Sequence, residues 1–196
     1  METRRSRERP LLEALHPELP PLLPGLPRPV YRFTPGFTLH PDRSPSHQRL
    51  AGLPALTAPE IPETVREHLR LLAGIDLYHD GYLWESHEMW EAPWMAAKAV
   101  GDSKRADFFR ALIYNSAGVL KQRLGQRKGA LRHGMRAVQT LEALISAFGQ
   151  HYLGMQLTPT LRGIEAFYRR LEPDRIAREP DPFDLPAPKL YHDLQG

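Results

Sequence analysis

The chain has 196 residues, enough for one domain with its own core and too few for two of comfortable size. Hydrophobic residues make up 41% and charged residues 25%, a globular composition, and the absence of cysteine excludes disulfides, zinc–thiolate cages and thiol nucleophiles. The net charge of +3 rests largely on Arg4, Arg5, Arg7 and Arg9, which a solvated tail explains, so nucleic-acid binding is not expected.

The arginine-rich start leads into apolar sequence that Glu13, His16, Pro17 and Glu18 interrupt, with no small-residue cleavage site. We read it as no export signal. No run of about 18 apolar residues follows anywhere, so no membrane span is expected. Together with the missing cysteines this gives a cytoplasmic expectation.

Thirteen of the twenty prolines fall in residues 1–62. Proline removes a backbone donor and fixes φ, so residues 1–60 are predicted to form a proline-rich, mostly irregular arm, with residues 1–30 disordered. Tyr31, Phe33, Phe37 and Leu39 give residues 31–53 enough apolar surface to lie on a core.

Residues 61–172 carry the helical period and are predicted to be the core domain. The first helix starts at Pro62 and stops near Asp80–Gly81. The second covers residues 82–100, with Gly101 just past its end. Asp102 or Ser103 caps the third, which runs to Gly125. The fourth follows, with a stripe at Leu131, Val138, Leu141, Ile145 and Phe148, and the fifth spans Thr158 to about Leu171. Short connections favour antiparallel neighbours. No strand alternation appears, so the predicted class is all-α, a compact bundle of about five helices. Residues 173–196, again proline-rich, are predicted to be an extended tail. Gly74 and Gly81 are echoed by Gly118 and Gly125, a spacing seen in helical-repeat scaffolds.

The stretch "WESHEMWEAPW", residues 84–94, holds all three tryptophans. At 100° per residue an apolar sector runs from Trp90 through Leu83, Trp94 and Trp84 to Met95, and His87 and Glu91 fall inside it. Glu88 lies at its edge, and Glu85 points away and reads as solvated. Residues four apart on a helix are close enough to share a ligand or a proton. A buried carboxylate requires a partner, a hydrogen bond or a metal. His87 and Glu91 are therefore a candidate metal or acid–base site, and zinc, manganese or iron suits such ligands. The competing readings are a buried pair that only fixes helix packing, or a face partly open to solvent. "HEMWE" also resembles the zinc-protease motif H-E-x-x-H, but Glu91 replaces its second histidine and no further ligand motif follows, so a protease is rejected.

Asn115, in the stripe of Phe108, Leu112 and Val119, needs a polar partner, and the His87–Glu91 pair is the expected one. In the arm, His40 and His47 are candidate members of the same site, with loop surface as the competing reading. His133 falls opposite its helix's stripe, and it, His68, His151 and His192 are expected at the surface.

"GIDLYHDGYLWESHEMWEAPW", followed by "DFFRALIYNSAGVLKQRLGQRKGALRHGMRAVQTLE", resembles the bacterial and archaeal family catalogued as domain of unknown function 309. The resemblance covers about residues 68–146. It implies an all-helical fold and a functional His-x-x-x-Glu-x-x-Trp/Tyr pattern with metal binding as its suggested role, here His87, Glu91 and Trp94. Two positions depart from the family's pattern. Pro93 removes a backbone hydrogen bond to Met89 and can shift Trp94 relative to His87, and Tyr114–Asn115 stands where a glutamine-containing run is expected. The resemblance implies no reaction.

Two functions follow as expectations. One is a helical protein with a divalent-metal or acid–base site at His87 and Glu91, joined by Glu88, Trp94, Asn115, His40 and His47. The other is a non-catalytic interaction module in which His87 and Glu91 are a structural pair and the arm or the glycine-punctuated helices meet a protein partner.

Overall fold

The structure, a computed structural model, describes residues 14–172 and 185–195. Its helices are α1 (Pro45–Ala51), α2 (Pro54–Thr57), α3 (Glu63–His79), α4 (Leu83–Ala99), α5 (Ser103–Arg123), α6 (Arg127–Phe148) and α7 (Leu157–Arg170). A two-stranded hairpin, β1 (His151–Tyr152) and β2 (Met155–Gln156), precedes α7. The all-α expectation holds, and the five long helices are the five read from the period. The hairpin was not foreseen. Its turn residues Leu153 and Gly154 have φ of 49° and 78°, as a two-residue hairpin turn with both centres left-handed requires.

The starts and stops follow local chemistry. Asp102 caps α5 by accepting from Arg105 N at 3.0 Å. Gly101, at φ 72°, follows the end of α4 and releases the chain into α5. Consecutive long helices pack on one another, with α5 between α4 and α6. Leu71, Trp90, Phe108, Leu112, Leu141 and Ile164, all fully buried, run through this core.

Two glycines explain why aromatic rings can sit so deep. A Cβ at Gly74 would stand 2.1 Å from Trp90 Nε1, so the bare backbone of α3 is the seat of that indole. Trp90 donates to Leu71 O at 3.3 Å. Gly134 is the same kind of seat for the Tyr168 ring, 2.3 Å from where its Cβ would be. Of the echoed glycines, Gly74 and Gly118 lie against the Trp90 and Tyr168 rings, and Gly81 and Gly125 are turn residues at φ 80° and 71°.

Residues 14–62 are more anchored than the irregular arm foreseen from proline density. Leu22 N and Leu23 N donate to the Asp76 carboxylate at 2.7 and 2.8 Å, and Arg28 pairs with Asp80 at 2.6 Å. The disorder expected over residues 1–30 thus does not describe 14–30, and residues 1–13 lie outside the described part. Phe33 is buried against the core, but Phe37 and Leu39 are exposed, so only part of the expected apolar set packs. Of the tail, residues 173–184 lie outside the described part. Leu185, Ala187 and Leu190 are buried, and Pro188 O accepts from Tyr78 Oη at 2.9 Å.

Candidate metal centre

Helix α4 is fixed on three sides before its site residues come into play. Tyr82 N donates to Leu77 O at 2.8 Å and its hydroxyl to Pro29 O at 2.8 Å, setting the turn out of α3. Ser86 and Ser116 meet at 2.8 Å, and Ser116 donates to Leu83 O at 2.6 Å, locking α4 to α5. Trp90 holds it to α3. The helix continues through Pro93, which is buried inside it.

The buried face of α4 is Leu83, Glu85, Ser86, Met89, Trp90, Pro93 and Ala97. This is displaced from the sector drawn through the tryptophans. Trp84 and Trp94 sit half-buried at its edge, and Met95 is 52% exposed. Small residues make close contacts beside the buried Trp90, while the Trp84 and Trp94 rings lie across the rim. His87 and Glu91 consequently occupy a half-buried edge, with Glu88 exposed beside them.

His87, Glu88 and Glu91 each place a ligating atom within 4.8 Å of the others. None of the three forms a side-chain hydrogen bond or ion pair with another described residue, and Glu91 reaches His87 through its charge alone. The Trp84 ring lies 5.6 Å from the His87 ring. Burial pushes the pKa of His87 down, opposed by the charge of Glu91. Burial pushes Glu88 up, reinforced by Glu91, Asp42 and Glu85. The site therefore favours a neutral imidazole, the ligating form, and crowds carboxylates that a cation would relieve.

The donor set fits such a cation. Two ligand atoms of one tetrahedral zinc ion stand about 3.4 Å apart, so side-chain rotation would have to draw these three atoms in from the 4.8 Å within which they lie. One imidazole and two carboxylates without sulfur suit zinc, manganese or iron, and three protein ligands leave positions open toward solvent.

The other expected members go elsewhere. Asn115 is buried but donates to Tyr78 Oη at 3.1 Å, so it answers α3 rather than the His87 edge. Trp94 packs on the core rim with Lys98 Nζ 4.6 Å from its ring centre. His40 is exposed and pairs with Asp42 at 3.3 Å. His47 is buried, yet it joins a different carboxylate, Glu85, at 2.6 Å.

Glu85 is the clearest correction, because the residue read as solvated is 3% exposed. The arm covers that side of α4, and Phe33 N donates to Glu85 Oε1 at 2.8 Å. A helical wheel drawn for one buried face does not register a second covering segment. The signal that existed was in the arm, where Ser44 precedes Pro45 at the first turn of a helix that carries His47 inward. His133 is also not at the surface. It is half-buried beside Tyr114, and burial, Lys121, Arg132, Arg136 and His87 all hold its pKa down. His192 is buried under the hairpin turn, its ring against Gly154, whereas His68 and His151 are exposed as expected.

Residues 71–133 match the model of the family described as domain of unknown function (DUF309). The resemblance read from the residues therefore holds over this segment, which is narrower than first drawn and contains His87, Glu88, Glu91 and Trp94. No curated protein and no solved structure matches the chain.

Proposed function

We propose that this protein binds a divalent cation on α4, with His87, Glu88 and Glu91 as its ligands. The observation that carries the reading is the cluster itself: ligating atoms within 4.8 Å on one edge of a rigid helix, with no protein group answering them among the described residues. His87 supplies a neutral nitrogen, Glu91 a half-buried carboxylate and Glu88 an exposed one at the mouth. A cation held there would act as a Lewis acid on an oxygen ligand in the open positions. The role of this chain is to fix the ligands on a helix anchored by Trp90 and the Ser86–Ser116 contact.

The alternative, a non-catalytic interaction module, draws less from the geometry. Gly74 is filled by this chain's own Trp90 and Gly118 faces Tyr168, so those helix faces offer no groove to a partner.

Calorimetric titration of the metal-free protein with zinc and manganese tests the proposal. One ion per chain should bind, and His87→Ala and Glu91→Ala should each abolish binding. Unchanged binding in both variants, or none in the parent, would overturn it.

A further inference from the structure

The last described segment, residues 185–195, lies as a strap across α3, α7 and the hairpin. Leu185, Ala187 and Leu190 are buried in the main core. Gln156 N donates to Tyr191 O at 2.9 Å, Asp193 N to Gly154 O at 2.8 Å, and Tyr191 N to Thr160 Oγ1 at 3.2 Å. Lys189 ties the strap to the arm through Glu18 at 2.7 Å.

Three imidazoles stand at this strap, His16, His79 and His192, each no more than 5% exposed, and His47 is the only other described histidine so deeply buried. His79 Nε2 accepts from Leu190 N and His192 Nδ1 from Leu194 N, both at 3.2 Å. A ring nitrogen accepts only while it carries no proton, so the seated strap requires both rings neutral. A proton on His79 Nε2 would set one N–H against another, with the His16 ring 5.3 Å away.

The groups around the two rings do not offset their burial. His79 is faced by His16 and Glu18 from the arm, Lys189 from the strap and Tyr78 from its own helix. Burial lowers its pKa to about 3, with His16 and Lys189 adding to the effect and Glu18 opposing it. Asp76 and Asp80, on the same helix, are turned to the Leu22 and Leu23 amides and to Arg28. His192 is faced by His68 from α3, by Asp193 and by the Leu153 backbone. Burial pushes it down as well, against the Leu153 backbone and Asp193. Burial also lowers His16, opposed by Glu18 and the Pro188 backbone.

We infer that the strap is an acid-released latch: protonation of His79 and His192 frees residues 185–195 from α3 and the hairpin while the helical core stays folded. Each ring is neutral in the closed form and free to take a proton below about 6.5 in the open one. The latch is therefore fully closed above that pH and loosens as the pH falls. Opening uncovers the apolar seat of Leu185 and Leu190. The cation site on α4 plays no part in it.

Hydrogen exchange of the full chain, read by mass spectrometry at pH 7 and pH 5 and corrected for the intrinsic rate, tests this. Strap amides should exchange about tenfold or more faster at pH 5, while those of α5 keep their protection. His79→Gln puts an acceptor that does not titrate at the place of Nε2, and His192→Asn does the same for Nδ1. Each single variant should show a smaller pH response and the double variant none. If the double variant does not fold, the imidazole NMR signals of the parent decide. Rings that stay neutral at pH 5 support the latch, and rings that titrate near 6.5 with strap protection unchanged overturn it. So would a parent without pH response, a response that persists in a folded double variant, or loss of protection in α5 in step with the strap.

Discussion

Two histidine–glutamate groups lie on α4 or against it within two turns, and their surroundings are opposite. Where the arm covers the helix, His47 and Glu85 touch at 2.6 Å with side chains no more than 5% exposed. On the open edge, His87, Glu88 and Glu91 are as chemically capable but form no side-chain hydrogen bond or ion pair with another described residue. The residue types are the same, so the covering segment makes the difference. A carboxylate sealed under chain must be answered by that chain, while one at an edge is solvated until a ligand arrives. Glu85 stands between the two cases, with one oxygen answered and the other without a hydrogen-bond partner among the described residues.

The largest expected effect breaks the covered pair. His47→Leu or Glu85→Leu strands the other partner, and each should cost about 3–5 kcal/mol in urea unfolding. The double variant should recover much of that, because an apolar pair leaves neither charge alone. Recovery should be incomplete, since Phe33 N–H loses its acceptor. Additive losses in the double variant would show that the pair is not coupled.

A smaller effect sharpens the comparison with a histidine that has no carboxylate against it. His79 is buried, its Nε2 accepts from Leu190 N at 3.2 Å, and burial followed by the charge of His16 lowers its pKa to about 3. The folded state keeps this ring neutral, while the unfolded chain protonates it below about 6.5. Its contribution is therefore complete above 6.5 and is lost as the pH falls toward 3. His79→Asn removes that dependence. The stability gap between parent and variant should narrow by about 1.4 kcal/mol per pH unit below 6.5. A gap that stays constant from pH 7 to 5 would show that His79 titrates normally.

Helix existence was legible in the sequence because long periodic segments, Asp102 and Gly101 all agree locally. Which way each helix faced was less so. In α6 the buried residues are Ala130, Gly134, Ala137, Leu141 and Leu144, which share only Leu141 with the expected stripe. In α4 Ser86, Pro93 and Ala97 are likewise buried outside the expected sector, which displaced the expected position of the tryptophans. Small residues permit close approach yet carry little hydrophobic weight, so periodicity under-reads them. Of the site, His87 and Glu91 were visible from their spacing, and Glu88 stands exposed beside them. Glu85 and His47 were not visible as a pair, because residues 38 apart meet only through the path of the arm.

The smallest expected effect is at the open edge. His87→Leu and Glu91→Leu each remove a half-buried group that no described residue holds, so neither strands a partner. Each should change the stability of the metal-free protein by less than about 1 kcal/mol, in either direction, because a ligand site can be held at some cost to the fold. The double variant should then equal the sum of the singles, with no rescue, in contrast to His47 and Glu85. Zinc should separate the proteins again, since an ion at a hundred times its dissociation constant stabilises the state that binds it by about 2.7 kcal/mol. Only the parent should show that gain. Costly single changes rescued by the double, with no stabilisation of the parent by zinc or manganese, would make the open edge another structural pair and remove the cation from this helix.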